Sequence, residues 1–200
     1  MRELKNVIGD FKKGYIYCIA GRPAMGKTTL LEEIIKHEND KKIMVFSLET
    51  NREKFMEGLE SYKNSMINDR VRTVEDVEMV LRNLKLDIAA IDYFQLLNCI
   101  SNNFDEIYSI LSLKLKKLAN ELDIPIIIVS QLGRECEKRI NKRPRLDDFH
   151  YTCNRFLLQN SDCIMFLYND NYYDCTKEYK QEIIIAKNRF GEVGTIVDET

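Results

Sequence analysis

The residues with the most recognisable chemistry form a glycine-rich run near the N-terminus. The run reads Gly21-Arg22-Pro23-Ala24-Met25-Gly26-Lys27-Thr28-Thr29. It satisfies G-x-x-x-x-G-K-[ST] at each fixed position, directly after an apolar segment and before a helical pattern. Its backbone amides would surround phosphate oxygens, Lys27 would reach the β- and γ-phosphates, and the Thr28 hydroxyl would ligate Mg²⁺. The alternative is a chance glycine turn before a helix. We expect a nucleotide-binding site.

Two carboxylates follow later apolar runs and could complete such a site. Asp92 ends the run DIAAID, where a second strand would present a metal ligand, and Glu49 ends IMVFSLE in the same way. At the carboxyl edge of a parallel sheet, Glu49 could orient or deprotonate an attacking water. The alternatives are a solvated Asp92 and a Glu49 that caps the helix near Asn51. The phosphate loop favours the metal-ligand role for Asp92, whereas for Glu49 the residues alone do not decide between the two interpretations.

Short apolar runs alternate with helical patterns along the chain, and they would position these groups. The predicted strands are 15–20, 43–48, 87–92, 124–130, 163–168 and 182–187, and the predicted helices are 27–37, 52–63, 73–84 and 105–122. Thr73, with Asp76 three residues on, is the predicted N-cap of the third helix. The strands are almost continuously apolar, which is typical of parallel strands covered on both faces. Gly191 and Gly194 indicate a hairpin that leads to 195–198. We therefore predict one α/β domain over residues 1–200, with a doubly wound, mostly parallel sheet and a C-terminal β-hairpin.

Composition restricts the classes of protein that the chain can belong to. Of 200 residues, 44% are hydrophobic and 31% charged, which is typical of a globular domain, and the net charge of −2 offers no overall attraction to nucleic acid. The six cysteines show no metal-binding spacing, and no segment approaches the ~18 apolar residues of a membrane span. We expect a reduced protein of the cytoplasm without a membrane partner.

Six segments together resemble the motor domain of DnaB-type replicative helicases. They read GRPAMGKTT (21–29), VFSLE (45–49), AIDYFQLL (90–97), IVSQLGRECEKRINKRP (128–144), SDCIMFLYND (161–170) and EIIIAKNRFGEVGT (182–195). They span nearly the whole chain, and several are more specific than the phosphate loop alone. The resemblance implies a RecA-like P-loop ATPase that uses ATP and Mg²⁺ and forms a ring, usually a hexamer, with nucleotide sites between subunits.

The same resemblance implies roles for individual residues. Glu49 would be the catalytic base, Asp92 would bind the metal, and Gln131 would sense the γ-phosphate. Lys187 and Arg189 would be donated to the nucleotide of the next subunit, where two cations can neutralise transition-state charge. Lys187 and Arg189 are two apart on a predicted strand, so both should point to the same face. From the pattern alone they could also be the charges of a solvated edge strand.

A basic segment follows the strand that ends near Ser130. Residues 133–145 hold six basic side chains and two acidic ones, and the basic residues are Arg134, Lys138, Arg139, Lys142, Arg143 and Arg145. Such a run can be a plain solvated loop. In DnaB-type helicases the corresponding region lines the central channel, which implies contact with single-stranded DNA. No aromatic residue interleaves with it, so we expect contact with phosphates and not base stacking.

The chain departs from the family pattern in three places. The loop that usually reads Arg-Glu-Ser-Gly-Ser is replaced by His150-Tyr-Thr-Cys-Asn154, which lacks the glycine suited to close backbone approach. The segment between Glu49 and Asp92 is about half the usual length. The chain also begins at the motor domain and stops soon after GTIVDET, so we expect no N-terminal domain or linker helix.

The leading hypothesis is an ATP-driven helicase motor that moves along single-stranded DNA in replication, as a ring and with other replication proteins as further partners. A second hypothesis is a reduced relative that binds ATP and a partner protein without unwinding DNA. The altered loop and the short segment favour this second hypothesis. A RecA-like recombination or signalling ATPase is a third, but the SLE and AKxR segments match it less well.

Overall fold

The computed structural model describes residues 2–59, 64–99, 104–149 and 155–198. Eight strands lie in one sheet: β1 (Ile16–Gly21), β2 (Ile43–Ser47), β3 (Ser65–Asn68), β4 (Ile88–Asp92), β5 (Ile126–Gln131), β6 (Cys163–Tyr168), β7 (Gln181–Asn188) and β8 (Gly194–Asp198). The helices are α1 (Arg2–Ile8), α2 (Lys27–His37), α3 (Arg52–Glu57), α4 (Val74–Arg82), α5 (Phe104–Leu122) and α6 (Arg155–Asn160).

The strand order across the sheet is β3-β2-β4-β5-β1-β6-β7-β8. Strands β1 to β6 run parallel to one another. Strand β7 is antiparallel to β6 and pairs with β8 in the predicted hairpin. This is the predicted doubly wound, mostly parallel sheet. Because parallel strands start and finish at the same edges, the ends of β1, β2, β4 and β5 meet at one carboxyl edge.

The sheet has a hydrophobic core on each face. Successive residues of β1 alternate between the two cores: Ile16, Cys18 and Ala20 belong to one, and Tyr17 and Ile19 to the other. The first core includes residues of α4, α5 and α6, and the second includes residues of α1, α2 and α3. All six residues of β1 are buried, which explains why the strands read as continuous apolar runs.

The predicted start of α4 is confirmed by its cap. The Thr73 hydroxyl accepts a hydrogen bond from the Asp76 backbone N–H at 3.2 Å and donates to the Asp76 carboxylate at 2.7 Å. A capping side chain satisfies one of the backbone donors that the first turn of a helix leaves unpaired. Threonine with an acidic residue three positions later was therefore a reliable local signal.

Some elements differ from the sequence prediction. The helix expected over 52–63 ends at Glu57, and 60–63 lie outside the described residues. The next residue is Gly58, at which a Cβ would lie 2.7 Å from the Glu32 carboxylate, so the chain approaches α2 closely there. Helices α1 and α6 and strand β3 were not predicted. β3 is a short edge strand with one buried residue, so it lacks the apolar run that identified the others.

The described cysteines Cys18, Cys99, Cys136, Cys163 and Cys175 are free thiols, and four of them are buried. In the described part of the chain, no helix is both long and apolar enough to cross a membrane.

Candidate functional site

The glycine-rich run forms a tight loop between β1 and α2. Gly26 caps α2 with φ of 78°, in the left-handed region, and Ala24 also has a positive φ of 58°. At Gly21 a Cβ would lie 3.2 Å from the Leu167 carbonyl oxygen, so the strand end packs closely against β6. The loop thus combines a strained turn with a helix N-terminus, the arrangement that binds phosphate.

Lys27 lies inside this loop. Its Nζ donates to the Arg22 carbonyl oxygen at 2.9 Å. Burial lowers the pKa of Lys27, while the negative charges of Asp92 and Glu49 act in the opposite direction. A half-buried ammonium near two carboxylates is well placed to neutralise an incoming phosphate.

Thr28 and Asp92 are brought together although they are far apart in sequence. The Thr28 hydroxyl donates to Asp92 Oδ2 at 2.8 Å, and Asp92 is only 2% exposed. Burial raises the pKa of Asp92, and the hydrogen bond from Thr28 opposes that rise. Hydroxyl and carboxylate oxygens are ligands that Mg²⁺ accepts, and Mg²⁺ commonly binds one or two protein groups plus phosphates and water. The pair therefore fits a nucleotide-bound Mg²⁺.

Glu49 is exposed and lies beside the phosphate loop. The alternative role of helix cap is taken by Asn51, whose side chain accepts from the Lys54 backbone N–H at 3.0 Å. The capping explanation for Glu49 is therefore wrong, because the helix already has its cap. The role of Glu49 as a base stays a prediction.

Gln131 is the last residue of β5. It is held by Gln95, which lies in the connection that follows the neighbouring strand β4. The Gln95 side chain accepts from the Gln131 backbone N–H at 3.1 Å and donates to the Gln131 carbonyl at 2.9 Å and to Ser130 Oγ at 2.8 Å. Sequence reasoning assigned no role to Gln95, although it lies within the AIDYFQLL segment. Its contacts position the end of β5, and with it Gln131, at the site.

These side chains surround one cavity of about 440 Å³. It is lined by Pro23, Ala24, Gly26, Lys27, Thr28, Thr29, Glu49, Tyr93, Gln131 and Tyr179. Tyr93 and Tyr179 were missed: Tyr93 lies within the AIDYFQLL segment but was given no role there, and Tyr179 lies in none of the quoted segments. A larger cavity of about 640 Å³ lies near α3 and β3 but contains none of the predicted site residues. The cavity at the carboxyl edge is therefore the candidate nucleotide site.

Lys187 and Arg189 lie at the opposite edge of the sheet from the phosphate loop. β7 ends at Asn188, so Arg189 lies just beyond the strand. The strand alternation from which we expected Lys187 and Arg189 to point to the same face therefore does not apply to Arg189. Lys187 pairs with Ile164 at the start of β6, and its Nζ donates to the Leu158 carbonyl at 2.7 Å. Burial lowers the pKa of Lys187, and Arg189 acts in the same direction.

Arg189 is bound to the buried carboxylate of Asp162. Its Nη1 donates to Asp162 Oδ1 at 2.7 Å, and Lys116 Nζ and the Ile16 backbone N–H donate to Oδ2 at 2.7 and 2.9 Å. The Asp162 side chain has no exposed surface. Asp162 thus joins the start of β1, helix α5 and the end of β7, and it holds Arg189 at the amino edge.

Asp162→Asn should lower the free energy of unfolding by about 2–3 kcal/mol, because charge-assisted hydrogen bonds to a buried carboxylate are lost. The urea unfolding midpoint measures this. Asp123→Asn is the matched control, since Asp123 pairs with Lys13 at the surface, where both side chains are more than half exposed. Equal midpoints for both variants would show that the Asp162 contacts contribute no net stability.

The basic segment contains a 3-10 helix at Arg134–Lys138 and is not wholly irregular. Two of its arginines are engaged within the domain. Arg139 donates to both carboxylate oxygens of Asp148 at 2.6 and 2.9 Å. Arg143 forms ion pairs with Glu182 and Asp170.

Of the other four basic side chains, three are exposed and one is half-buried. Arg134, Lys138 and Arg145 are exposed, although Lys138 pairs with Glu135 at the surface. Lys142 is half-buried, with its Nζ 4.5 Å from the Tyr173 ring centre. The altered loop His150–Asn154 lies outside the described residues.

Comparisons with known proteins identify relatives. The family model for the "DnaB-like helicase C terminal domain" matches residues 1–75 and 56–198. The overlap of the two matches falls in the segment that sequence analysis found to be shortened.

Among curated proteins, the replicative DNA helicase DnaC of Bacillus subtilis is 29% identical over 238 residues, covering 97% of this chain and 52% of the relative. The replicative DNA helicase DnaB of Buchnera aphidicola (strain Bp) is 31% identical, covering 98% and 51%. The chain spans about half the length of the curated relatives it matches.

Among solved structures, one described as an ATPase domain has a TM-score of 0.88 at 30% identity, covering 98% of this chain and 84% of that one. A DnaB-like replicative helicase, described with its interactions with primase, has a TM-score of 0.89 at 30% identity, covering 98% and 57%. The RadB recombinase, at 16% identity and a TM-score of 0.66, shares the fold.

Proposed function

Because this chain belongs to the DnaB-like helicase C-terminal domain family, we propose that it is an ATP-hydrolysing motor that assembles into a ring and moves along single-stranded DNA. The relatives are replicative helicases, so the proposed setting is DNA replication. The predicted RecA-like fold is confirmed by the solved relatives.

The observation that carries the proposal is the set of groups at the carboxyl edge of the sheet. Lys27, the Thr28–Asp92 pair, Glu49 and Gln131 come from four strand ends and meet at one cavity. The basic segment begins directly after Gln131. The end of β5 therefore connects the phosphate site directly to a cationic loop, which is the arrangement that a nucleotide-driven DNA motor needs.

Each group has a distinct part in hydrolysis. Lys27 neutralises charge on the β- and γ-phosphates, and the loop amides bind their oxygens. Thr28 and Asp92 would hold Mg²⁺, which would supply positive charge against the phosphate oxygens. Glu49 orients the attacking water and accepts its proton, and its exposed position at the cavity leaves room for that water. Gln131 lines the cavity, where it would sense the γ-phosphate, and it leads into the basic segment.

Lys187 and Arg189 support a site shared between subunits. Arg189 lies beside Ile16, at the start of β1, whereas the phosphate loop begins at Gly21. The length of β1 separates the two ends by roughly 16 Å at about 3.3 Å per residue, which exceeds the reach of an arginine side chain. If these cations serve a nucleotide, it is therefore the nucleotide of a neighbouring subunit.

The test is the rate of ATP hydrolysis per subunit, measured across protein concentrations with and without single-stranded DNA. A shared site predicts a rate that rises with concentration, and a DNA motor predicts a further rise with DNA. A Lys27→Ala preparation purified in parallel reports contaminating ATPase. A rate indifferent to both concentration and DNA would overturn the proposal.

Exposed and engaged basic residues should differ in their effect on DNA binding. Arg145→Ala and Arg134→Ala should weaken binding to all sequences alike and reduce the salt dependence of log K by about one counterion each. Affinity measured by fluorescence anisotropy at several salt concentrations tests this.

Arg139→Ala is the matched comparison within the same segment. Its guanidinium is bound to Asp148, so its loss should lower stability and leave the salt slope nearer the wild-type value. Equal slopes for wild type and Arg145→Ala would remove Arg145 from the proposed DNA surface.

A reduced relative that binds ATP and a protein partner is the second candidate. Arg139 and Arg143 favour it, because their ion pairs to Asp148, Glu182 and Asp170 leave fewer cations for DNA. One solved relative is described with its interactions with primase, so a replication protein is a natural partner class. Nucleotide binding without any effect of DNA would support this candidate.

A further inference from the structure

The side chain of Arg22 leaves the phosphate loop and enters the basic segment. Its Nε donates to Glu137 Oε1 at 2.8 Å and its Nη1 donates to the Leu132 carbonyl oxygen at 2.7 Å. Arg22 is only 8% exposed. The motif assigned Arg22 to the nucleotide, but its guanidinium is bound to the segment that follows β5.

The backbone of Arg22 contacts the lysine of the phosphate loop at the same time. Lys27 Nζ donates to the Arg22 carbonyl oxygen at 2.9 Å. A phosphate bound in the loop competes for the protons of that ammonium, so the environment of the Arg22 peptide differs between the free and the nucleotide-bound loop. Arg22 therefore contacts the phosphate-responsive group through its backbone and the basic segment through its side chain.

Leu132 strengthens this connection. Its backbone N–H donates to the Gly21 carbonyl at 3.0 Å, while its carbonyl accepts from Arg22. Both peptide groups of Leu132 are thus bound to consecutive residues of the phosphate loop. Through Glu137, the contact of Arg22 reaches the 3-10 helix Arg134–Lys138, to which Glu137 belongs.

We propose that Arg22 is a positioning residue that transmits the state of the phosphate loop to the basic segment 133–145 through Leu132 and Glu137. This inference rests on the proposed nucleotide site. A guanidinium suits the role, since its planar, always charged fork binds a carboxylate and a carbonyl together, which a lysine ammonium on a flexible stem does not reproduce.

The test is hydrogen–deuterium exchange of peptides covering 132–149, with and without Mg-ADP. In the wild type, Mg-ADP should change exchange in this segment. Glu137→Gln should lose that response while binding a fluorescent ADP analogue with wild-type affinity, because Glu137 lies outside the nucleotide cavity. Arg22→Gln should lose the response too, and the double variant should lose no more than either single variant.

Glu135→Gln is the matched control, since Glu135 lies on the same 3-10 helix but pairs with Lys138 at the surface. It should keep the wild-type response. A wild-type response in Glu137→Gln, or a wild-type segment that ignores bound Mg-ADP, would overturn the coupling. A segment that responds to Mg-ADP in a protein whose hydrolysis ignores DNA would support the coupling and refute the DNA motor. Absence of Mg-ADP binding would refute both.

Discussion

Lys27→Ala is expected to reduce ATP hydrolysis per subunit by at least about 10²–10³-fold, the cost of removing one preorganised charge from a developing anion. The half-buried ammonium lies inside the phosphate loop, near Asp92 and Glu49. Without it, these carboxylates and the phosphates would repel one another more strongly. Steady-state phosphate release at saturating Mg-ATP measures the effect.

The control for Lys27→Ala is Lys36→Ala, in the last turn of the same helix α2. It removes a lysine of the same helix at a distance from the loop and should hydrolyse ATP at close to the wild-type rate. Comparable rates for Lys27→Ala and Lys36→Ala would refute the assignment of the loop as the hydrolytic site.

Arg189→Ala should leave Mg-ATP binding intact and slow hydrolysis by about 10³-fold or more, as expected for an arginine supplied in trans. The reason is geometric: Arg189 is held by Asp162 at the amino edge, whereas the phosphate loop of its own subunit lies at the carboxyl edge. Its loss therefore harms the neighbour's site and not its own. Parallel titrations with a fluorescent ATP analogue separate binding from hydrolysis.

Mixing Arg189→Ala with Lys27→Ala gives a sharper test. Each variant is inactive alone, but in mixed rings some interfaces combine the intact phosphate loop of one variant with the intact Arg189 of the other. Hydrolysis should therefore reappear in the mixture. A mixture that stays as inactive as its components, in particles shown to contain both chains, would refute the trans mechanism. Lys116→Met controls for weakening of the Asp162 cluster, since it removes the other cation while Arg189 remains.

Local chemistry made much of the fold predictable. Six of the eight strands were visible as apolar runs, five of them buried, and the Thr73 cap marked the start of α4. Strand β3 and the short helices α1 and α6 were not predicted, because they bury few residues or are too short to show a clear hydrophobic periodicity. Their positions depend on packing against elements distant in sequence.

The residues of the candidate site likewise divide into those that the sequence identified and those that only the fold brings together. The phosphate loop is contiguous, so its residues could be named from spacing alone. Glu49 and Asp92 were recognisable as carboxylates that end strands, yet a helix-capping role for Glu49 was excluded only by the hydrogen bond at Asn51. Gln95 and Tyr93 lie within the AIDYFQLL segment and Tyr179 in none of the quoted segments, but no role could be assigned to them, because only the strand order brings them to the site.

The sequence by itself determined the phosphate loop, the strand–helix alternation and the family, since each depends on spacing within a short segment or on motifs along the chain. Only the tertiary structure decided where long polar side chains go. Arg22 turns to Glu137, Arg143 to Glu182, and Arg189 to Asp162. A flexible cationic side chain has many rotamers of similar energy, and its choice depends on which carboxylate the folded chain brings within reach.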